Sequence, residues 1–343
     1  MAFFPLSQAC NYSLAIQNSV AIAKLILVGD WGLNAVVRSG RLWPTIAAML
    51  AVLLCCVVAG CGADAGQDGN PTITVGSKST TEEMIIAEIY AQALEAAGFK
   101  VKREHNLPAG LPPFEQKGLQ ISGYPEHLNI ALKDVLRSKQ DVPGDRERAY
   151  EMTKEGLEEK GLVAFPPTSF SRSKAVGMLR KMAVERDLKT LSDLRKQAGE
   201  MTVKADDFCS FVMDCFPGFQ RFYGISFESF SAIEKNERYK VLENGEADAA
   251  IVLSTEGQLA GRNSKFVILE DDKERMPAGH MFWLTTKDLV EEAGPRYEKT
   301  IVAAQKGLTL KVMQELNATV TLEGGPVTKV AGEYLKSTSY KSR

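Results

Sequence analysis

The chain has 343 residues, 45% of them hydrophobic and 24% charged, with a formal net charge of −2. That composition is globular and suits one or two well-buried domains, and the near-neutral balance excludes the basic excess of a nucleic-acid binder. Three histidines without paired spacing exclude a His-rich zinc centre, so neither a metal nor a cofactor is expected.

The first signal along the chain is one of export. Arg38 and Arg41 precede an apolar stretch, residues 42–58, that ends in Val58-Ala59-Gly60-Cys61. A basic flank, an apolar core and small residues before a cut site make a secretory signal, here residues 1–60. The ending resembles a bacterial lipobox, which implies that Cys61 becomes the lipidated first residue of the mature protein. An uncleaved membrane anchor is the alternative, although the stretch falls short of the ~20 apolar residues of a span. Residues 1–37 exceed the ~15–30 residues of an ordinary signal, so translation is expected to begin near Val36 or Val37. Residues 61–71, polar and glycine-rich, read as a flexible tether.

Beyond the tether, residues 72–76 alternate polar and apolar side chains and read as a strand. Thr80 and Glu83 stand in capping-box spacing ahead of an amphipathic helix over 82–97, with Gly98 as its stop. A strand over 99–103 completes a β-α-β order, which points to helices packed on a parallel sheet. A helix over 150–160 and a strand over 162–165 follow. A second set begins with a strand over 174–180 and continues through a helix over 192–196, a strand over 201–205, a helix over 238–243 and a buried strand over 247–253. Further strands are expected at 267–269 and 280–285, and helices at 297–307, 311–316 and 327–335. Cys209 and Cys215 are an even pair in an exported chain and read either as a disulfide or as two buried thiols.

Several segments together carry a family resemblance. The run Val75-Gly76-Ser77-Lys78-Ser79-Thr80-Thr81-Glu82 resembles the first strand-to-helix turn of the glycine betaine/choline/carnitine/proline-betaine solute-binding proteins. Tyr124-Pro125-Glu126 is similar to the start of that family's Tyr-Pro-Glu-Tyr-Thr-Gly-Thr segment. Residues 188–194, Tyr223-Gly224, Gly245-Glu246-Ala247-Asp248, residues 269–273 and residues 313–317 match in family order. The resemblance implies a two-lobed α/β fold of the periplasmic-binding-protein type II. Each lobe would be a mostly parallel sheet flanked by helices, and two crossing strands, at 175–180 and 280–286, would join them. The lobes would be residues 72–173 plus 286–343, and residues 174–285. The resemblance also implies a lipid-anchored, monomeric, extracytoplasmic solute-binding protein that closes on its ligand and serves the permease and ATPase subunits of an ABC importer.

A quaternary ammonium has no N–H donor, so the family's kind of ligand is gripped by aromatic faces. Its carboxylate, where present, is held by hydroxyls, backbone N–H groups or a helix N-terminus. Ser77, Ser79, Thr80 and Thr81 precede the first predicted helix and are candidates for the polar end, with plain helix capping by Thr80 as the compatible alternative. Tyr124 is the candidate aromatic wall. His127 stands where the family has its second Tyr, and Leu128-Asn129-Ile130 replaces Thr-Gly-Thr. Lys174, after Phe170-Ser171-Arg172-Ser173, stands where a family Tyr is common; facing the cleft it would disfavour a cation and favour an anionic group. Ser171, Tyr239, Ser254 and Thr255 complete the implied set. Residues 208–219 depart most from the family pattern. The competing functions are an extracellular enzyme on the same fold and a ligand-sensing module for a receptor. Against the enzyme, the sequence has no Gly-x-Ser-x-Gly elbow, phosphate loop or metal-ligand run.

Overall fold

The computed structural model describes residues 70–107, 112–116 and 118–338. The signal, the lipidation position Cys61 and residues 61–69 of the tether lie outside the described residues. The strands in chain order are β1 (Thr72–Gly76), β2 (Lys100–Glu104), β3 (Gly123–His127), β4 (Leu162–Ala164), β5 (Lys174–Leu179), β6 (Thr202–Ala205), β7 (Ser229–Ala232), β8 (Ala249–Leu253), β9 (Phe266–Ile268) and β10 (Met281–Thr286). They form two sheets, ordered β2-β1-β3-β10-β4 and β7-β6-β8-β5-β9. Among the helices are α1 (Thr81–Ala96), α2 (Arg146–Glu158), α3 (Arg238–Glu243), α4 (Pro295–Gln305), α5 (Leu310–Thr321) and α6 (Val327–Ser337).

Helix α1 shows how local sequence sets its own limits. Thr80 accepts the Glu83 N–H in its side-chain oxygen, and Gly98 takes the left-handed conformation (φ 86°) just past the C-cap. The apolar face of Ile85, Ile86, Ile89, Ala93 and Leu94 is buried, and so are Ala87, Tyr90 and Ala91 on its flanks. Wider burial is possible because α4 and α6 pack on α1 in addition to the sheet. Glu88 tolerates the same surroundings by pairing with Arg103 at 2.7 Å. Around the second sheet a separate apolar core gathers Val176, Met178, Leu194, Val203, Phe219 and Ile251. Each sheet carries apolar clusters on both faces, and two sheets so covered make the two lobes.

The sheets are mixed where mostly parallel ones are expected from the sequence. β1 runs parallel to β2 and β3, and β6 runs parallel to β7 and β8, as crossovers through covering helices require. β10 is antiparallel to both β3 and β4, and β5 to both β8 and β9. These two strands are the ones entered from the other lobe, so they run against their neighbours. Each belongs wholly to one sheet. The expected passages at 175–180 and 280–286 are therefore displaced a few residues towards the N-terminus, to 171–173 and 278–280. There Ser171 bridges His280 in antiparallel register, the Arg172 N–H donates to the Gly279 carbonyl at 3.0 Å, and the Gly279 N–H donates to Ser171 Oγ at 3.0 Å. A third tie comes from α5, where Asn317 and Gln314 side chains donate to the carbonyls of Thr255 and Ser254 at 2.8 and 2.7 Å.

Cys209 and Cys215 are joined in a disulfide, with both side chains buried in the second core. Closing so short a loop restricts the unfolded chain and contributes roughly 2 kcal/mol. Reduction, or the double substitution C209A/C215A, is expected to lower the unfolding free energy by about that amount, seen as a lower urea midpoint. An identical midpoint in reductant would show that the bond does not form in the protein as isolated.

Candidate functional site

Between the lobes lies an inner cavity of about 330 Å³, and a neighbouring one of about 440 Å³ shares Asn129, Ile130, Asp214 and Pro277 with it. The inner cavity has the dimensions of a small-molecule site. The first lobe contributes Asn129 and Ile130 to it, just past β3. The passage contributes Arg172 and Ser173, and the second lobe Lys174, Asp206, Phe208, Asp214 and Arg238.

Two ion pairs organise the second-lobe wall. Lys174, the first residue of β5, reaches Asp214 at 2.8 Å and stands over the Phe208 ring at 4.7 Å from its centroid. The 209–215 disulfide closes the loop that carries Asp214. Arg238, only 3% exposed, donates to Asp206 at 2.7 Å and to Glu256 at 2.9 Å, while its Nε is buried without an acceptor. A guanidinium in the first turn of α3 opposes the helix dipole, so these carboxylates must hold it there. That misplaced charge is the one sequence signal by which Arg238 could have been singled out; Asp206 and Asp214 carry none.

The sequence-proposed residues divide into three groups. At the β1–α1 turn, Ser77 is buried with its Oγ 3.0 Å from His105 Nδ1, Ser79 is exposed, Thr80 caps α1, and Thr81 is the first residue of that helix. None of the four borders the inner cavity. In the second group, Tyr124 is fully buried in an apolar cluster with Leu107, Leu128 and Phe282, its ring 5.6 Å from that of Phe114. Burial, then the neighbouring Glu126 charge, pushes the Tyr124 hydroxyl well above its ordinary pKa. Beside it lies Lys78, which pairs with buried Glu126 at 2.5 Å. Burial raises the Glu126 pKa against the opposing pull of Lys78. His127 is 1% exposed, with Nδ1 3.1 Å from the Gly279 carbonyl and Nε2 buried without a partner.

The third group sits at the passage. Ser254 Oγ donates to the Ser171 carbonyl at 2.8 Å and accepts the Ser173 N–H at 3.0 Å, and the Ser171 and Ser173 hydroxyls meet at 2.8 Å. Thr255 is buried and accepts from Asn317. Tyr239 donates to Glu256 at 2.5 Å and sets its ring edge-on to Phe266, away from the cavity. Of the eleven proposed residues, Lys174 alone lines the inner cavity. Chemically, the cavity offers donors from Lys174 and Arg238 and carboxylates from Asp206 and Asp214. The one aromatic face lining it, Phe208, lies under an ammonium.

Residues 71–337 match the family model described as the substrate-binding domain of an ABC-type glycine betaine transport system. The chain is 27% identical over 296 residues to a glycine-betaine-binding protein of Pseudomonas aeruginosa, covering 82% of this chain and 93% of that one. It is 25% identical over 286 residues to the carnitine transport binding protein OpuCC of Listeria monocytogenes, covering 80% and 89%. A solved structure titled as a glycine betaine/carnitine/choline ABC transporter superposes with a TM-score of 0.70 at 23% identity, covering 78% of this chain and 99% of that one.

Proposed function

The chain belongs to the family of substrate-binding domains of ABC-type glycine betaine transport systems, and from that membership we propose that it captures a small zwitterionic or quaternary ammonium solute in the cleft between its lobes. It is a substrate-binding protein of an ABC transporter, not an enzyme, and it works on the extracytoplasmic side with permease and ATPase partners. The family match carries the reading, because it runs through both lobes and so includes both walls of the cleft.

The finer proposals rest on the N-terminal sequence and on relatives. Among the described residues no helix is long and apolar enough to cross a membrane. A lipid on Cys61, followed by the 61–71 tether, would hold a monomeric domain at the membrane; one acyl chain binds marginally, whereas two or more anchor stably. Closure of the lobes about 171–173 and 278–280 would report occupancy to the permease. Metabolic labelling with palmitate tests the anchor: label lost in C61A is expected, and label retained there overturns it.

Calorimetric titration with glycine betaine, proline betaine, carnitine and choline tests the ligand class. Trp283 is a poor optical reporter, since it is buried in the first-lobe core, stacked edge-on to Tyr90 and donating to Tyr297 at 2.7 Å. Saturable binding of at least one compound, with a Kd on the order of micromolar or about −8 kcal/mol, is the expected result. Silence from a cooperatively folded sample would remove this solute class.

A further inference from the structure

We infer that the Cys209–Cys215 disulfide is a positioning element of the solute site: it holds Asp214 against Lys174 and Phe208 beneath it, and the cleft loses affinity without it. The inference rests on the solute-capture reading above and adds residues to that site. Residues 206–215 belong to no strand, so no ladder of backbone bonds fixes them to the second sheet. Both cysteines are fully buried in the second-lobe core, whereas Phe208 is 38% and Phe211 73% exposed. The chain therefore leaves the core at Cys209 and returns to it at Cys215, and the bond closes that excursion. Just beyond it the chain folds back tightly: a Cβ on Gly218 would lie 2.1 Å from the Met213 carbonyl oxygen.

The excursion supplies one wall of the cleft. Phe208 lines the inner cavity, Val212 and Met213 line the neighbouring one, and Asp214 lines both. Asp214 reaches Lys174 at 2.8 Å, and the same ammonium stands 4.7 Å from the Phe208 ring centroid. The Lys174 side chain is only 13% exposed, and an ammonium left unpaired at that depth is costly. Lys174 is one departure from the family pattern and residues 208–219 are another; the two meet in this ion pair. The loop thus brings a carboxylate to the one position where the strand has brought a cation. Without the cross-link the segment regains conformational freedom. Asp214 is then displaced from Lys174 for part of the time, and the cavity presents an uncompensated positive charge to a quaternary ammonium.

The test is a double-mutant cycle read by calorimetry on the purified full-length protein, with glycine betaine, carnitine, proline betaine and choline as probes. For the probe that the parent binds, C209A/C215A and D214N are each expected to weaken binding by about tenfold, the factor of one charge-assisted contact. Joined in one chain they are expected to weaken it little more than either does alone, because both take the same carboxylate from Lys174. Titrations are run where urea unfolding shows each variant fully folded, so that lost stability does not read as lost affinity. A merely structural disulfide would leave the affinity of folded C209A/C215A at the parent value, or lower it by a factor that multiplies with that of D214N. Either result overturns the inference and leaves the solute-capture reading intact. Silence from all four probes in the parent removes both. If C209A/C215A does not fold, G218A displaces the loop with the bond intact and takes its place in the cycle.

Discussion

An alanine at position 279 is expected to destabilise the protein by about 3 kcal/mol or more and to weaken solute binding in the same variant. A Cβ on Gly279 would fall 2.0 Å from the Arg172 carbonyl oxygen and 2.8 Å from its carbon. Those are backbone atoms, so no rotamer change relieves the overlap; the two passage segments must separate. Separation strains the bonds they share, Arg172 N–H to Gly279 O and Gly279 N–H to Ser171 Oγ, and disturbs the contact of His127 Nδ1 from β3 with Gly279 O. Gly98 and Gly245 serve as a contrast, since nothing lies within 4 Å of a Cβ at either and both owe their identity to positive φ. Urea unfolding and calorimetry on one preparation decide the matter. A variant within about 0.5 kcal/mol of the parent, the range of an ordinary surface change, would mean that the passages are not packed as described.

Much of the scaffold was legible because its signals are local. Thr80 with Glu83, Gly98, and the alternation of residues 72–76 each report the neighbouring backbone, and α1 and β1 fall within a residue of where those signals place them. What failed was anything decided by a distant partner. A strand's alternation shows that it has two faces, but not which sheet will pair with it. The run 280–286 therefore read as a passage, while pairing with β3 and β4 makes it a central strand of the first sheet. Tyr124 shows the same limit in the site. Its motif supplied an aromatic at a suitable point in sequence, yet Phe114, from a separate segment, closes over it. Arg238 and Asp206 are thirty-two positions apart and become one feature only when α3 packs on β8 and β5 and brings Arg238 to the residue that follows β6. Lys174 was visible because it stands where the family that the sequence resembles commonly has a Tyr.

His127 is expected to make the protein lose stability in acid, by about 3 kcal/mol between pH 7 and pH 4 from this one side chain. A carbonyl can only accept, so the contact with Gly279 O places the proton on Nδ1 and leaves Nε2 as a lone pair. Nε2 is buried without a partner. Protonating it would bury a second N–H with nothing to bond and a charge beside Arg172 and Lys78. Burial first, then the Arg172 charge, lowers the pKa from the ordinary 6.5 to about 3. The unfolded chain takes up its proton below pH 6.5, whereas the folded chain resists until about pH 3. Stability is thus unaffected above pH 6.5 and falls by up to about 1.4 kcal/mol per pH unit below it. Glu82 and Glu126 act in the opposite sense. Burial raises both above 4.5, so the stability linked to their retained protons is present at low pH and lost as pH rises through their folded values. The total acid profile therefore mixes signs, and His127→Asn isolates the histidine. Its amide can still donate to Gly279 from the place of Nδ1 but cannot ionise. Unfolding free energies measured from pH 4 to pH 7 should fall more steeply in the parent than in the variant, and the two curves should meet in slope above pH 6.5. Parallel curves throughout would mean that His127 exchanges its proton in the folded state as freely as in the unfolded chain, and is not sealed at the passage.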